Sequence, residues 1–302
     1  MIGLDGVIVL DKPRGLASNA ALSRLKSLLG RPKMGFLGTL DPLATGVLPV
    51  FIGKATKLIP VFEGLDKAYR VTFRLGEATD TYDADGTVLE RKPVDHLSPD
   101  RVREVALGFQ GKLEQVPPAF SAIKHGGVPG YRLARAGRPV PEKRRTVRVW
   151  DLKVEDVALP DVTMALSCTA GTYVRSLAHD IGAALGVGAH VTALRRLRCG
   201  EMFTLERATT IEAIAVAVAA GMEARELEFL LHPADLLPDH LSYKVNAEEE
   251  KLLRNGNRLL LGDEIAPGTP LKAFATDGTL LAIGQAVPGK SGLGFQPTKV
   301  MV

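Results

Sequence analysis

Asp41 lies within Gly35-Phe36-Leu37-Gly38-Thr39-Leu40-Asp41-Pro42-Leu43-Ala44-Thr45-Gly46-Val47-Leu48-Pro49, a segment framed by Gly and Pro and flanked by apolar side chains. A carboxylate in such a loop is costly to bury unless a cation or backbone donors satisfy it. The residues alone leave two readings open. Asp41 either caps or braces a turn, or it is a carboxylate kept charged for nucleophilic or proton-transfer chemistry.

Other chemistry-bearing patterns carry less. Thr81-Tyr82-Asp83-Ala84-Asp85-Gly86 is spaced like the opening of a calcium loop, but the first position is Thr and the twelfth is Lys92, so calcium ligation is not expected. His179 and Asp180 are neighbours on an expected helix and point in different directions, which argues against a dyad. Cys168 and Cys199 have no partner at zinc spacing and are expected to be small core residues. Neither a Walker motif nor a Gly-rich dinucleotide loop is present, which disfavours nucleotide-driven and methyl-transfer enzymes. No metal ligand set and no cofactor is expected.

Positive charge collects in three places. Between Lys124 and Arg148 lie Arg132, Arg135, Arg138, Lys143, Arg144 and Arg145 as well, against the single acid Glu142, in a stretch rich in Gly and Pro. A basic, loop-like insertion of this kind suits a phosphate-gripping arm, although a solvated surface loop has the same composition. Arg195, Arg196 and Arg198 form a second cluster, and Arg24, Lys26, Arg31 and Lys33 a third. The net charge of +4 and pI near 9.0 permit a polyanionic partner. Aromatic residues are only 5% of the chain, with Trp150 the one tryptophan, so recognition of a folded RNA by shape and backbone is favoured over stacking of many bases.

The elements that must position these residues follow from periodicity. Gly6–Leu10 and Gly46–Gly53 read as buried strands, and Gly35–Pro42 as a loop between helix and strand. Ser18 is expected to cap a helix carrying Ala21, Leu22, Leu25, Leu28 and Leu29. In 67–75 the alternation puts Tyr69, Val71, Phe73 and Leu75 on one face and Arg70, Thr72 and Arg74 on the other, a half-buried antiparallel strand. Ser98-Pro99 opens a further helix, and 147–157 and 162–168 read as strands. Thr172 is expected to cap a helix running from Tyr173 to about Leu185, placing Arg175 exposed in its first turn. Mixed strand and turn cover 191–204, a buried helix 210–220 and another helix 224–231. After Leu237-Pro238-Asp239 come a helix with a capping box from Asn246 to Glu249 and short strands with turns at Pro267-Gly268, Asp277-Gly278 and Pro288-Gly289. The expected architecture is α+β with a mixed, mainly antiparallel sheet over residues 1–237 and a small β-barrel over 238–302.

GTLDPLATGVLP around Asp41 closely resembles the catalytic motif of the TruB family, the bacterial tRNA pseudouridine-55 synthases. The likeness continues in order along nearly the whole chain: GVIVLDKPRG at 6–15, KAYR at 67–70, GEATDTYDADG at 76–86, VPPAFSAIK at 116–124, GTYVRSL at 171–177 and Leu194-Arg195-Arg196. The resemblance implies a pseudouridine synthase fold with an RNA-clasping insertion at about 116–148, and a C-terminal PUA-like RNA-binding barrel. It implies that Asp41 is the catalytic carboxylate, that Tyr69 stacks on a flipped uracil and assists loss of the C5 proton, and that Arg175 pairs with Asp41 and keeps it ionised. It further implies that Lys12, Phe36, Tyr173, Leu194, Arg132, Arg144 and Arg145 shape the pocket or hold RNA. The family usually carries His where this chain has Phe36, so an imidazole hydrogen bond to RNA is replaced by a ring that can only wedge or stack.

The implied activity is cofactor-free conversion of a T-loop uridine of tRNA to pseudouridine by a cytoplasmic monomer with no obligate protein partner. A rival reading is a non-catalytic RNA-binding protein or tRNA folding chaperone. Intact Asp41, Tyr69 and Arg175 favour catalysis. No stretch of eighteen apolar residues is available to span a membrane, and 1–13 does not read as a signal peptide.

Overall fold

The computed structural model describes residues 4–121, 123–222, 227–262, 264–289 and 292–301. Its organising element is the strand Lys67–Leu75, in which the alternating apolar set Tyr69, Val71, Phe73 and Leu75 is buried. The opposite face carries Arg70, paired with Glu155, and Arg74, paired with Asp161. The strand lies antiparallel between Asp161–Cys168 and Ala189–Cys199. Its register sets Tyr69 opposite Arg196 and Val71 opposite Leu194.

From this centre the sheet extends both ways. One side adds Arg145–Ala158 and then Gly111–Gln115, both antiparallel. The other adds Thr45–Ile52, parallel to Ala189–Cys199, then Gly6–Lys12 antiparallel to it, and Ala208–Thr209 at the edge. The sheet is therefore mixed and mainly antiparallel, as its strand patterns predict. Strands Thr45–Ile52 and Ala189–Cys199 approach very closely at one point. Gly46 has φ +95°, and a Cβ there would lie 2.2 Å from the Arg196 carbonyl oxygen, so only glycine serves.

Alternate side chains of Gly6–Lys12 and Thr45–Ile52 feed two cores. Ile8, Leu10, Leu48, Val50 and Ile52 join the core beneath the helices Ser18–Leu28, Pro99–Leu107, Val174–Ala184 and Ile211–Ala219. Val7, Val9, Val47 and Phe51 join a second core with the mutually packed rings of Phe62 and Phe203, and with Leu280, Ile283 and Met301. Residues 241–300 contribute a separate curled sheet of five strands, in the order Leu241–Lys244, Pro270–Phe274, Leu280–Gly289, Gly292–Val300, Leu259–Leu260. The expected capping box is present there: Asn246 accepts from the Glu249 amide, and Glu249 accepts from the Asn246 amide.

Several local expectations are corrected. Ser18 is the first helical residue and not the cap; its hydroxyl instead donates to Leu40 O and accepts from Leu40 N, at 2.9 and 2.8 Å. This braces the loop immediately before Asp41. Within the expected loop 35–42, Met34–Phe36 is a short strand pairing with 50–52. Tyr173, not Thr172, occupies the cap of the helix Val174–Ala184, and Thr172 donates to Thr169 O. Helix Ile211–Ala219 is not buried throughout, since Val216 is 71% exposed. Of the helix expected over 224–231, residues 224–226 lie outside the described residues, and Leu230–Leu231 is a strand paired with Val7 and Ile8. Tertiary pairing overrides local propensity in such short segments. Pro288 and Gly289, expected in a turn, end a strand. Among the described residues, no helix is long and apolar enough to cross a membrane.

Candidate active site

Asp41 sits where the braced loop meets the start of helix Val174–Ala184. Its Oδ2 is 3.0 Å from Arg175 Nε. Arg175 lies in the first helical turn as expected, but it is only 5% exposed, not exposed. All its polar reach is used. Nη1 is 3.2 Å from Asp83 Oδ2 and donates to Thr81 O at 2.7 Å, while Nη2 donates to Phe120 O at 3.0 Å. One guanidinium thereby joins the Asp41 loop, the acidic loop 79–87 and the start of the basic insertion. A planar fork with five N–H donors can do this, and a lysine ammonium cannot.

The Asp41 side chain is 39% exposed and lines a cavity of about 300 Å³. That volume is on the scale of a single base with its sugar. Tyr69 and Lys67 lie on one wall, with Leu194 and Arg196 on the adjoining strand. Tyr173 and Arg175 form another. Gln115, buried beside them, grips Tyr173 at both ends: its Oε1 accepts from the Tyr173 amide at 2.7 Å, and its Nε2 donates to the Tyr173 carbonyl at 2.9 Å. The Arg145 guanidinium lies 5.5 Å over the Tyr173 ring and donates to Gly171 O.

Electrostatics at the site run against the simplest expectation for Asp41. Enclosure raises its pKa above the ordinary carboxylate value; Arg175 and Lys12 oppose this, while Asp83 and Asp85 add to it, and the net direction is upward. Arg175 therefore offsets part of the cost of the charge without reversing it. Tyr69 is pushed up to about 12, chiefly by burial and against the pull of the Arg196 guanidinium, so its hydroxyl stays protonated at neutral pH. Burial lowers the Lys67 ammonium.

Not every candidate reaches the cavity. Lys12 is 0% exposed; its Nζ donates to Pro13 O and Leu16 O at 3.0 and 2.6 Å, and burial lowers its pKa to about 8. It is a buried scaffold cation with no surface to offer a substrate. Phe36 packs partly buried against the main core and is not among the residues lining the cavity. Arg132 and Arg144 are exposed on the insertion, with Arg132 against the Tyr131 ring and hydroxyl.

The cluster Arg195, Arg196, Arg198 is not a free basic patch. Arg195 is paired with Asp11 and Arg198 with Glu201. Arg196 is 1% exposed and donates to Val47 O at 2.6 Å and Gly38 O at 2.9 Å. It fixes the loop carrying Asp41: Gly38 has φ +68°, and a Cβ there would meet the Arg196 guanidinium at 3.2 Å. Lys67 and Arg196 on the cavity wall, and Asp83 and Gln115 behind it, are site residues to which sequence reasoning gave no role. Asp83 was masked by its calcium-loop spacing, and nothing about Gln115 distinguishes it from an ordinary strand residue.

Comparison with known proteins gives a consistent answer. Residues 26–174 match the model of the TruB family pseudouridylate synthase N-terminal domain, and residues 175–237 that of the tRNA pseudouridylate synthase B C-terminal domain. A protein named tRNA pseudouridine synthase B from Geobacter sulfurreducens is 44% identical over 293 residues, covering 95% of each chain. One of the same name from Burkholderia mallei is 43% identical over 292 residues, covering 95% of this chain and 94% of its own. Among solved structures, an H/ACA RNP bound to a substrate RNA containing 2'-deoxyuridine aligns with 99% of this chain and 86% of its own, at 25% identity and TM-score 0.69. An archaeal box H/ACA Nop10-Cbf5 complex aligns with 98% of this chain and 86% of its own, at 25% identity and TM-score 0.68. With both family models matched and relatives of that name aligned over 95% of its length, the chain belongs to the TruB family of pseudouridylate synthases.

Proposed function

We propose that this protein isomerises uridine to pseudouridine in the T loop of tRNA, with Asp41 as the catalytic carboxylate. The observation that carries the reading is the Asp41–Arg175 pair at 3.0 Å, facing a one-nucleotide cavity that also presents Tyr69. The reaction breaks the C1′–N1 bond, turns the base and joins C5 to C1′. It needs a negative charge beside the sugar, a shielded base and a route for the C5 proton. Asp41 supplies the charge, Arg175 orients it, and Tyr173 and Leu194 enclose the base. Extrusion of the uridine from a loop costs less than from a duplex.

Tyr69 offers a ring face and a neutral hydroxyl held by Arg196, so it serves as a proton relay and not as a phenolate. Tyr69→Phe keeps the ring and should slow the single-turnover chemical step by about 10²-fold, with RNA affinity unchanged. The upward shift of Asp41 makes a second expectation. The active form is the ionised one, so the single-turnover rate should decline on acidification at a pH where an ordinary carboxylate is still fully charged. A pH–rate profile that stays flat down to the usual carboxylate range would contradict it.

The exposed cations of residues 116–148, including Arg132 and Arg144, are suited to grip T-arm phosphates, with residues 238–302 as a second RNA-binding unit beyond the catalytic part, 1–237. A cytoplasmic monomer acting on tRNA fits this reading. The test is direct: purified protein and a T-arm stem-loop transcript should yield pseudouridine at the loop uridine, detected by carbodiimide modification and primer extension. Binding without product would favour a tRNA chaperone instead.

A further inference from the structure

We propose that the ring stack between Tyr82 and His179 is a positioning device for this reaction: it locks the acidic loop onto the arginine helix and so holds Arg175 against Asp41. The proposal rests on the catalytic reading of Asp41 given above.

The two rings lie 3.9 Å apart between centroids and 12° from parallel. His179 follows Arg175 by four residues, so both side chains rise from one face of helix Val174–Ala184. Three consecutive loop residues meet this face. The Thr81 carbonyl accepts from Arg175, Tyr82 covers His179, and Asp83 pairs with Arg175 again. Arg175 is thus aimed by a loop whose own seating on the helix includes the ring stack beside it.

The backbone of Tyr82 strengthens the case. Its φ is +62°, in the left-handed region that a bulky residue rarely adopts. Such a conformation persists only where surrounding contacts over-determine it. Here Val191 N donates to Tyr82 O at 3.0 Å, and Ala84 N donates to Val191 O at 2.9 Å. These bonds pin the loop to the strand Ala189–Cys199 on one side, and the stack pins it to the helix on the other. His179 is suited to stack as a neutral ring. Its Nδ1 is buried without a hydrogen-bond partner, and burial pushes the imidazole below its ordinary range. Neither ring lines the cavity at Asp41, so their influence on the reaction passes through Arg175.

The test uses four full-length variants. Tyr82→Gly deletes the ring while relieving the left-handed backbone, and His179→Ala deletes the other ring. Tyr82→Phe and His179→Phe preserve stacking. On a T-arm transcript, the Gly and Ala variants should lose about tenfold in single-turnover rate with unchanged RNA affinity, a scale in keeping with small misplacements of catalytic groups. The Phe variants should restore the wild-type rate, and the Gly/Ala double variant should be no slower than either single variant, because both remove one contact. In parallel, water exchange of the Arg175 Nε–H, followed by nitrogen-15 NMR, should quicken in Tyr82→Gly and His179→Ala.

That exchange measurement does not depend on turnover. Wild-type protein that makes no pseudouridine would sink the functional reading, whereas an active wild type with unchanged rate and unchanged Arg175 exchange in the variants would overturn the stack's role alone. Loss of melting temperature without loss of rate would also overturn it. Should Tyr82→Gly fail to fold, His179→Ala carries the same comparison.

Discussion

Asp41→Asn is expected to reduce pseudouridine formation on the order of 10⁴-fold or more, the scale on which loss of a catalytic nucleophile or base is felt, while T-arm RNA still binds. The amide is nearly isosteric but has no charge to place beside C1′, and it can neither attack as a carboxylate nor accept a full proton. Its effect on stability has the opposite sign. A carboxyl whose pKa is raised in the fold holds its proton more tightly there than in the unfolded chain. Ionised Asp41 therefore costs stability at neutral pH, and that cost vanishes as pH falls below the unfolded value near 3.8. Arg175 keeps Asp83 and two carbonyl partners in the variant. Asp41→Asn should consequently melt at or above the wild-type temperature at pH 7, with the difference narrowing in acid. An inactive variant that also melts well below wild type would point to a structural role for Asp41 instead of a chemical one.

Arg175→Ala should be damaging in both respects. It leaves Asp83, 5% exposed, as a buried carboxylate without its cation. Breaking a buried pair from one side costs about 3–5 kcal/mol, here moderated by the bonds Asp83 retains from Thr81 Oγ1 and the Asp85 amide. Arg175 is also the largest influence holding the Asp41 pKa down, so its loss should push that carboxyl higher still and move the acid limb of the pH–rate profile upward. A rate loss of about 10²–10³-fold at neutral pH is expected, the range found for removal of one preorganised electrostatic partner. The double variant Arg175→Ala/Asp83→Asn separates the two effects. Urea unfolding should show stability largely recovered, because the buried position 83 no longer carries a charge without a cation and Asp41 is partly exposed, while the rate stays low. Recovery of both would mean that Arg175 acts only through folding.

Much of the frame was legible in the linear chain. The period-two pattern of 67–75 placed Tyr69 on the buried face, because successive strand side chains alternate without regard to what lies on either side. Asn246 and Glu249 announced a helix start because a capping box is satisfied locally. The ordered motifs around Asp41, Tyr69 and Arg175 brought the expected partners together, and Asp41 and Arg175 do meet. Chemistry that depends on neighbours distant in sequence was not legible in the same way. Ser18 looked like a cap, yet its hydroxyl is taken up by the Leu40 backbone, twenty-two residues away, from which it accepts the amide and to which it donates.

Residue types and spacing determined the strand faces, and the ordered motifs the family, since each depends on patterns within a few residues. Which of three clustered arginines turns inward was decided by tertiary structure. Arg195 and Arg196 are adjacent and chemically identical, but the pleat sends them to opposite faces, and only the register against Tyr69 assigns Arg196 to the interior. The proton affinity of Asp41 was decided in the same way. It is the balance of enclosure by the cavity walls and the negative charge of Asp83 against the cations Arg175 and Lys12, groups that come within reach only when loop, helix and sheet are assembled.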